Sequence, residues 1–228
     1  MTSGGSRIGL LGGTFDPVHY GHLDAADAAR RSLALAEVVL VPSRVPPHKA
    51  SPTRTSGYHR FAMAALAAAE HPGLRVSDLE LRSTEPSYTT LTLQQLARVG
   101  YAPSQLFFIL GSDAFAEIAH WHDFPGILGR SHFAVVARAG RPLADLRGRL
   151  PALAARMRRP AARSDAGAEA GSTSIWLVDA ETRDVSSSTI RRRLAASEPT
   201  GDLLPDVVAA YISRHRLYDA TPRGRLFA

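Results

Sequence analysis

The chain has 228 residues, of which 45% are hydrophobic; that suits an α/β domain with a real core and excludes a wholly disordered chain. Its 27 Lys and Arg against 21 Asp and Glu leave a net charge of +6, a balance that favours acidic partners such as nucleic acid, anionic membranes or small phosphates. There is no cysteine, so disulfides and thiolate metal sites are excluded, and neither a membrane-length apolar run nor a signal-peptide pattern is present; a cytoplasmic protein with no membrane partner is the expectation.

In chain order, Arg7–Leu11 is a short apolar run ending in Gly12 and Gly13, a strand entering a tight turn. An alanine-rich helix runs from about His22 to Leu35, and Val38–Val41 is a buried strand ended by Pro42. Pro46 and Pro47 keep the next segment out of helix. A second helix covers Ser56–Glu70, with Gly73 as its stop. Arg75–Leu81 alternates like a strand, Thr89–Val99 reads as helix, and Leu106–Leu110 is a buried strand followed by Gly111. His132–Ala137 and Ser174–Val178 are further strands, and helices near Ser187–Ala196 and Pro205–Arg214 close the chain.

Strands alternating with helices imply an α/β fold, a doubly wound and mostly parallel sheet with right-handed crossovers. Ligands bind beyond the carboxyl ends of such strands. Residues 1–228 are read as a single domain, with a flexible Ala, Gly, Ser and Arg-rich insertion at 158–173 and a C-terminal helical part at 187–218. The basic stretch Arg141–Arg163 contains no aromatic residue to stack bases, so it is read as a solvated helix face, with no nucleic-acid partner.

The stretch Gly12-Gly-Thr-Phe-Asp-Pro-Val-His-Tyr-Gly-His22 follows a strand and opens a helix. Glycines allow close backbone approach to a ligand, and free N–H groups at a helix start favour phosphate. His19 and His22 are three residues apart, so their imidazoles share one side of the helix entrance. Zinc is the competing reading, but a closed zinc site wants four ligands, and nothing in the spacing of His48, His120 or His122 joins them to this pair; no metal-binding residue is assigned. A second informative stretch, Asp184-Val-Ser-Ser-Ser-Thr-Ile-Arg191, also follows a strand and opens a helix. Its serines supply cap oxygens and phosphate donors, and an Arg one turn later can reach the same anion.

Gly12–His22 resembles the H-x-G-H signature of the nucleotidylyltransferase superfamily, in the G-G-T-F-D-P-x-H-x-G-H form of bacterial nicotinate-nucleotide adenylyltransferase. Asp184–Arg191 resembles the superfamily's I-S-S-T-x-I-R signature, with Val185 for Ile and Ser188 for Thr. Between them, Pro46-Pro-His-Lys49, Pro86-Ser-Tyr-Thr-Thr-Leu91, Gly111-Ser-Asp-Ala-Phe115 with Trp121, and Arg138-Ala-Gly140 resemble the P-H-K, S-Y-T, G-x-D…W and R-P-G elements of the same family. The resemblance covers about residues 7–218 and implies a Rossmann-like nucleotidylyltransferase fold.

It further implies transfer of AMP from ATP to nicotinate mononucleotide, giving deamido-NAD and pyrophosphate in NAD biosynthesis. The alternative acceptors are nicotinamide mononucleotide and phosphopantetheine. By resemblance, His19, His22 and Arg191 are catalytic. Gly12, Gly13, Thr14, Phe15, Gly111, Asp113, Val185, Ser186, Ser187 and Ile190 join them in binding ATP. Lys49, Thr89, Thr90, Asp113, Trp121 and Arg138 bind the acceptor. Mg²⁺ comes with the ATP phosphates as the expected cofactor, and a homo-oligomer is admitted without a number.

Overall fold

The computed structural model describes residues 6–45, 53–137, 143–160 and 172–219. Seven strands form one sheet: β1 (Ile8–Gly13), β2 (Glu37–Pro42), β3 (Leu74–Val76), β4 (Leu106–Gly111), β5 (His132–Val136), β6 (Met157–Arg158) and β7 (Ile175–Val178). Their order is β3-β2-β1-β4-β5-β7-β6, and every neighbouring pair runs parallel. The helices are α1 (Tyr20–Ser32), α2 (Gly57–Ala69), α3 (Thr89–Arg98), α4 (Ser112–Ala116), α5 (Leu146–Arg149), α6 (Ser187–Ala195) and α7 (Asp206–His215). Among the described residues no helix is long and apolar enough to cross a membrane.

The strands read as continuous apolar runs because both faces of the sheet are covered. Successive side chains point to opposite faces. Phe107 and Ile109 of β4 join Leu11, Ala134, Val136, Trp176 and Val178 in a core that includes residues of α1, α2, α6 and α7. Leu106, Phe108 and Leu110 join Ile8, Leu10, Phe133, Val135, Ile175 and Leu177 in a second core with residues of α3, α4 and α5. The strand order reverses between β1 and β4, the point at which a doubly wound sheet opens a crevice at its carboxyl edge.

Two expectations need correction. The alternation over Arg75–Leu81 is a strand only as far as Val76, because the last ladder-like bond runs from the Ser77 N–H to Leu40 and the chain then turns. The basic stretch around Arg141–Arg163 is no single solvated helix face: α5 is one turn long, the Arg147 guanidinium donates to the carbonyls of Ala154 (3.1 Å) and Met157 (2.7 Å), and Arg156 donates to those of Leu128 (2.8 Å) and Thr173 (3.1 Å). At the two ends of the 158–173 segment, Arg158 pairs with Trp176 and the Thr173 hydroxyl donates to the Leu128 carbonyl. Its middle, 161–171, lies outside the described residues.

His132 is buried at the start of β5, where its Nδ1 accepts from the Ser174 N–H at 2.9 Å and the Trp176 indole at 3.3 Å. Burial, with the charges of Arg7 and Arg156, pushes its pKa down to about 4. The unfolded chain therefore takes up this proton near pH 6.5 and the folded one does not. The resulting stability is complete above about pH 6.5 and is lost as pH falls towards 4, a contribution of roughly 3 kcal/mol. The variant His132→Asn, whose amide oxygen can stand in for Nδ1, is expected to lose less stability than the parent between pH 7 and pH 4.5 in urea-unfolding measurements.

Candidate functional site

A cleft of about 390 Å³ opens where β1 and β4 end, and Gly12, Gly13, Thr14, His19, His22, Gly111 and Asp113 all line it. A smaller cavity of about 250 Å³ sits against β1, β2 and β3, walled largely by Ile8, Leu10, Val39, Leu79 and Leu96, and carries neither a histidine nor a signature residue.

β1 delivers the glycine loop to one wall of the cleft. Phe15 then adopts a left-handed backbone, φ 51°, with only 1% of its surface exposed; a non-glycine residue there stores strain of order 1–3 kcal/mol, the kind of cost found at ligand loops. Its ring lies under Gly13 and edge-on to His22, so only its backbone can face a ligand. His19 caps α1 from an extended conformation and His22 sits in the first turn, their rings stacked with centroids 3.7 Å apart. His19 is 2% exposed, yet both line the cleft. The His22 Nδ1 accepts the His19 backbone N–H at 3.3 Å, which assigns the proton of a neutral ring to Nε2 and makes that atom a donor. Gly21 has a packing reason: a Cβ there would lie 3.1 Å from the Arg183 carbonyl and 3.2 Å from the His19 ring.

The second signature closes on the first from behind. Ser186 caps α6, its hydroxyl accepting from the Thr189 N–H at 3.2 Å. The Ser187 hydroxyl donates to the Pro17 carbonyl at 2.9 Å, and the Arg191 guanidinium donates to the Asp16 carbonyl at 2.6 Å. A guanidinium carries five N–H donors, so this bond leaves others, although Arg191, Ser186 and Ser187 are not among the residues that line the cleft. Val185 and Ile190 are buried in the core. The Ile190 amide donates to the Ser186 carbonyl at 3.1 Å, within the helix.

On the far side, Gly111 ends β4 and Asp113 lies in the first turn of α4. Thr89 opens α3 and lines the cleft, as does Trp121, which meets Phe108 edge-on at 6.0 Å. Thr90 does not contribute a side chain: it is 1% exposed, and its hydroxyl donates to Asp123 at 2.7 Å. Arg130 donates to the same Asp123 oxygen at 2.8 Å, and these two hydrogen bonds hold the Asp123 carboxyl below its ordinary value. The start of α3 is thereby tied to the turn that carries Trp121. Lys49 and Arg138 lie outside the described residues.

Several lining residues escaped the sequence reading: Ser43, Glu80, Ser87, Thr182 and Arg183. Arg183 directly precedes the second signature, and that adjacency was the available signal. It forks onto Asp24 at 2.9 and 3.0 Å and lies 3.8 Å over the Tyr20 ring, fastening α1 to the segment before α6. Arg60, the largest fully buried side chain, donates to the Thr14 carbonyl at 2.7 Å behind the glycine loop. Nothing in the sequence marked it among the other helical arginines.

Comparison with known proteins adds four findings. A family model described as cytidylyltransferase-like matches residues 10–193. A protein of Roseiflexus castenholzii named "Probable nicotinate-nucleotide adenylyltransferase" is 39% identical over 220 residues, covering 96% of this chain and 100% of its own. One of the same name from Aeromonas salmonicida is 42% identical over 214 residues, covering 93% of this chain and 97% of its own. Among solved structures, the nicotinic acid mononucleotide adenylyltransferase of Plasmodium falciparum complexed with NaAD is 20% identical, with a TM-score of 0.69 over 96% of this chain and 100% of that one, a likeness of fold.

Glu80 generates a test independent of any ligand. Its carboxyl accepts hydrogen bonds from Thr92 (2.6 Å) and Ser87, while the Ser87 oxygen accepts the Arg44 and Val45 N–H groups at 2.9 and 3.3 Å. Burial raises the Glu80 pKa, and the two hydroxyl bonds reverse this only in part. The folded state therefore disfavours the charged form, a penalty present at neutral pH and relieved as pH falls through the folded pKa. Glu80→Gln, which keeps an oxygen for Thr92, is expected to melt above the parent at pH 8, with the difference shrinking towards pH 4.

Proposed function

The chain belongs to the cytidylyltransferase-like family and, within it, to the nicotinate-nucleotide adenylyltransferases, and from that premise we infer that it transfers AMP from ATP to nicotinate mononucleotide, forming deamido-NAD and pyrophosphate in NAD biosynthesis. The observation that carries the site assignment is the meeting of the two signatures: Arg191 and Ser187 of α6 bond the backbone of the loop whose glycines and histidines line the cleft.

The reaction asks little covalent chemistry of the protein. A phosphate monoester has a second pKa near 6, so the acceptor is largely dianionic at neutral pH and needs no base. One of its oxygens attacks the α-phosphorus in line, a new P–O bond forms, and the bond to the β-phosphate bridging oxygen breaks with its electrons leaving on pyrophosphate. Catalysis then consists of alignment and of donors aimed at growing charge.

In this reading the backbone of Gly12–Phe15 approaches the triphosphate, while His22 Nε2, His19 and Arg191 donate to its oxygens. Asp113 accepts from ribose hydroxyls. The N–H groups at the start of α3, by Thr89, hold the nicotinate carboxylate, and Trp121 stacks on the pyridine ring. Lys49 and Arg138 are assigned to acceptor phosphate by their motifs alone. Among the described residues no group of three or more His, Asp or Glu side chains could cage a metal. Mg²⁺ would enter this cleft with ATP and would neutralise charge on the leaving pyrophosphate. We place the enzyme in the cytosol.

Pyrophosphate release from ATP, measured with nicotinate mononucleotide, nicotinamide mononucleotide and phosphopantetheine in turn, tests the assignment; fastest turnover with either of the last two overturns it. His22→Ala is expected to lower kcat by about 10²–10³-fold, the usual loss for one donor to a developing oxyanion, with an unchanged circular-dichroism spectrum. Trp121→Ala is expected to raise the acceptor KM about fivefold to tenfold, the size of one aromatic pair, while the ATP KM stays put. A defect confined to ATP would remove Trp121 from the acceptor side.

A further inference from the structure

The Asp16 carboxylate is 3% exposed and does not line the cleft, yet three groups from two distant stretches of chain converge on it. The Arg54 N–H donates to Oδ2 at 2.8 Å, the Thr55 hydroxyl to Oδ1 at 2.7 Å, and the Tyr218 hydroxyl to the same Oδ1 at 2.6 Å across 202 residues of chain. The backbone of the same residue accepts from Arg191, and Pro17 beside it accepts from Ser187. His19 follows two positions later.

We propose that Tyr218 is a positioning residue for adenylyl transfer: by donating to Asp16 it fixes the loop that presents the glycine backbone and the paired histidines to the triphosphate. This rests on the reading that the cleft binds ATP.

The geometry pins Asp16 from two sides. α6 holds its carbonyl, while Thr55, Arg54 and Tyr218 hold its side chain, so the peptide between Phe15 and Pro17 has little room to rotate. Burial and the nearby Asp16 charge raise the Tyr218 phenol well above its ordinary value, so it is a hydroxyl donor at every working pH. Arg60 adds an attractive charge to the same neighbourhood and holds the Thr14 carbonyl. Without the phenol, Oδ1 keeps only the Thr55 hydroxyl, and the loop can drift. Displacements near 1 Å cost about 10²-fold when reacting groups must stay aligned.

Tyr218 is also separable from the packing of its own segment. It follows α7, which is anchored in the core by Val208 and Ile212, with Leu217 buried just after it. The Tyr218 ring packs against that core from a partly buried position. Phenylalanine keeps the ring and removes only the hydroxyl.

The test uses full-length Tyr218→Phe and, separately, Thr55→Val, so that a folding failure in one leaves the other. Steady-state constants for both substrates are measured with melting temperatures, and the binding of α,β-methylene-ATP is followed by calorimetry. The expected result for Tyr218→Phe is about a tenfold fall in kcat/KM for ATP, the size of one lost hydrogen bond to a charged group. The KM for nicotinate mononucleotide should stay within about twofold, and the defect should persist well below the melting temperature of either protein. Wild-type constants for ATP, a loss confined to the acceptor KM, or a defect that vanishes on cooling would each overturn the positioning role. A wild-type enzyme inert towards nicotinate mononucleotide would defeat the functional reading alone, because weaker analogue binding by Tyr218→Phe would still support the inference and equal binding would end it. Failure of the wild type to bind the analogue would defeat both.

Discussion

Two hydrogen bonds to main-chain oxygens, from Arg191 to Asp16 and from Ser187 to Pro17, join ends of the site that are 175 and 170 residues apart in the chain. Their physical importance lies in what they satisfy. The loop between β1 and α1 turns sharply and has a left-handed Phe15, and its Asp16 and Pro17 carbonyls lie outside any strand ladder. A cationic fork and a hydroxyl from the start of α6 supply the missing donors. The glycines and His19 can then be held in one arrangement, because the back of the loop is already bonded.

The same device recurs around the rim with carboxylates in place of carbonyls. Asp16 gathers Thr55, Arg54 and Tyr218. Glu80 gathers Thr92 and Ser87. Asp123 gathers Thr90 and Arg130. Asp16 and Asp123 each join segments that follow different strands, Glu80 ties residues that all follow β3, and each carboxylate spends its oxygens on neutral or cationic donors. A parallel sheet sends all its ligand loops to one edge, where they would otherwise be separate and mobile. Acidic side chains between them give that edge a fixed shape while the net charge of the chain stays positive.

The parts of the fold that were legible in the sequence are those set by local pattern. Val38–Val41, Leu106–Leu110 and His132–Ala137 could be read because strands buried on both faces are apolar throughout, and the loop from Gly12 to His22 could be read because a phosphate turn needs its residues consecutively. Arg75–Leu81 misled because alternation persists after Val76, where the chain leaves the sheet and the later residues serve a turn. Thr90 and Ile190 sit inside motifs but face the interior, which string matching alone does not reveal. Tyr218, Thr55 and Arg60 were invisible for a different reason. Their chemistry is a contact across the whole chain, and no spacing encodes it.

Both borders of the sheet are brief. β3 contributes three residues and β6 two, and each carries an exposed arginine, Arg75 and Arg158. Unpaired main-chain groups along a border are what an incoming strand would use to extend a sheet, and short, charged borders offer few of them. A strand arriving at either border therefore meets a short, charged row of main-chain groups, a poor template for extending the sheet.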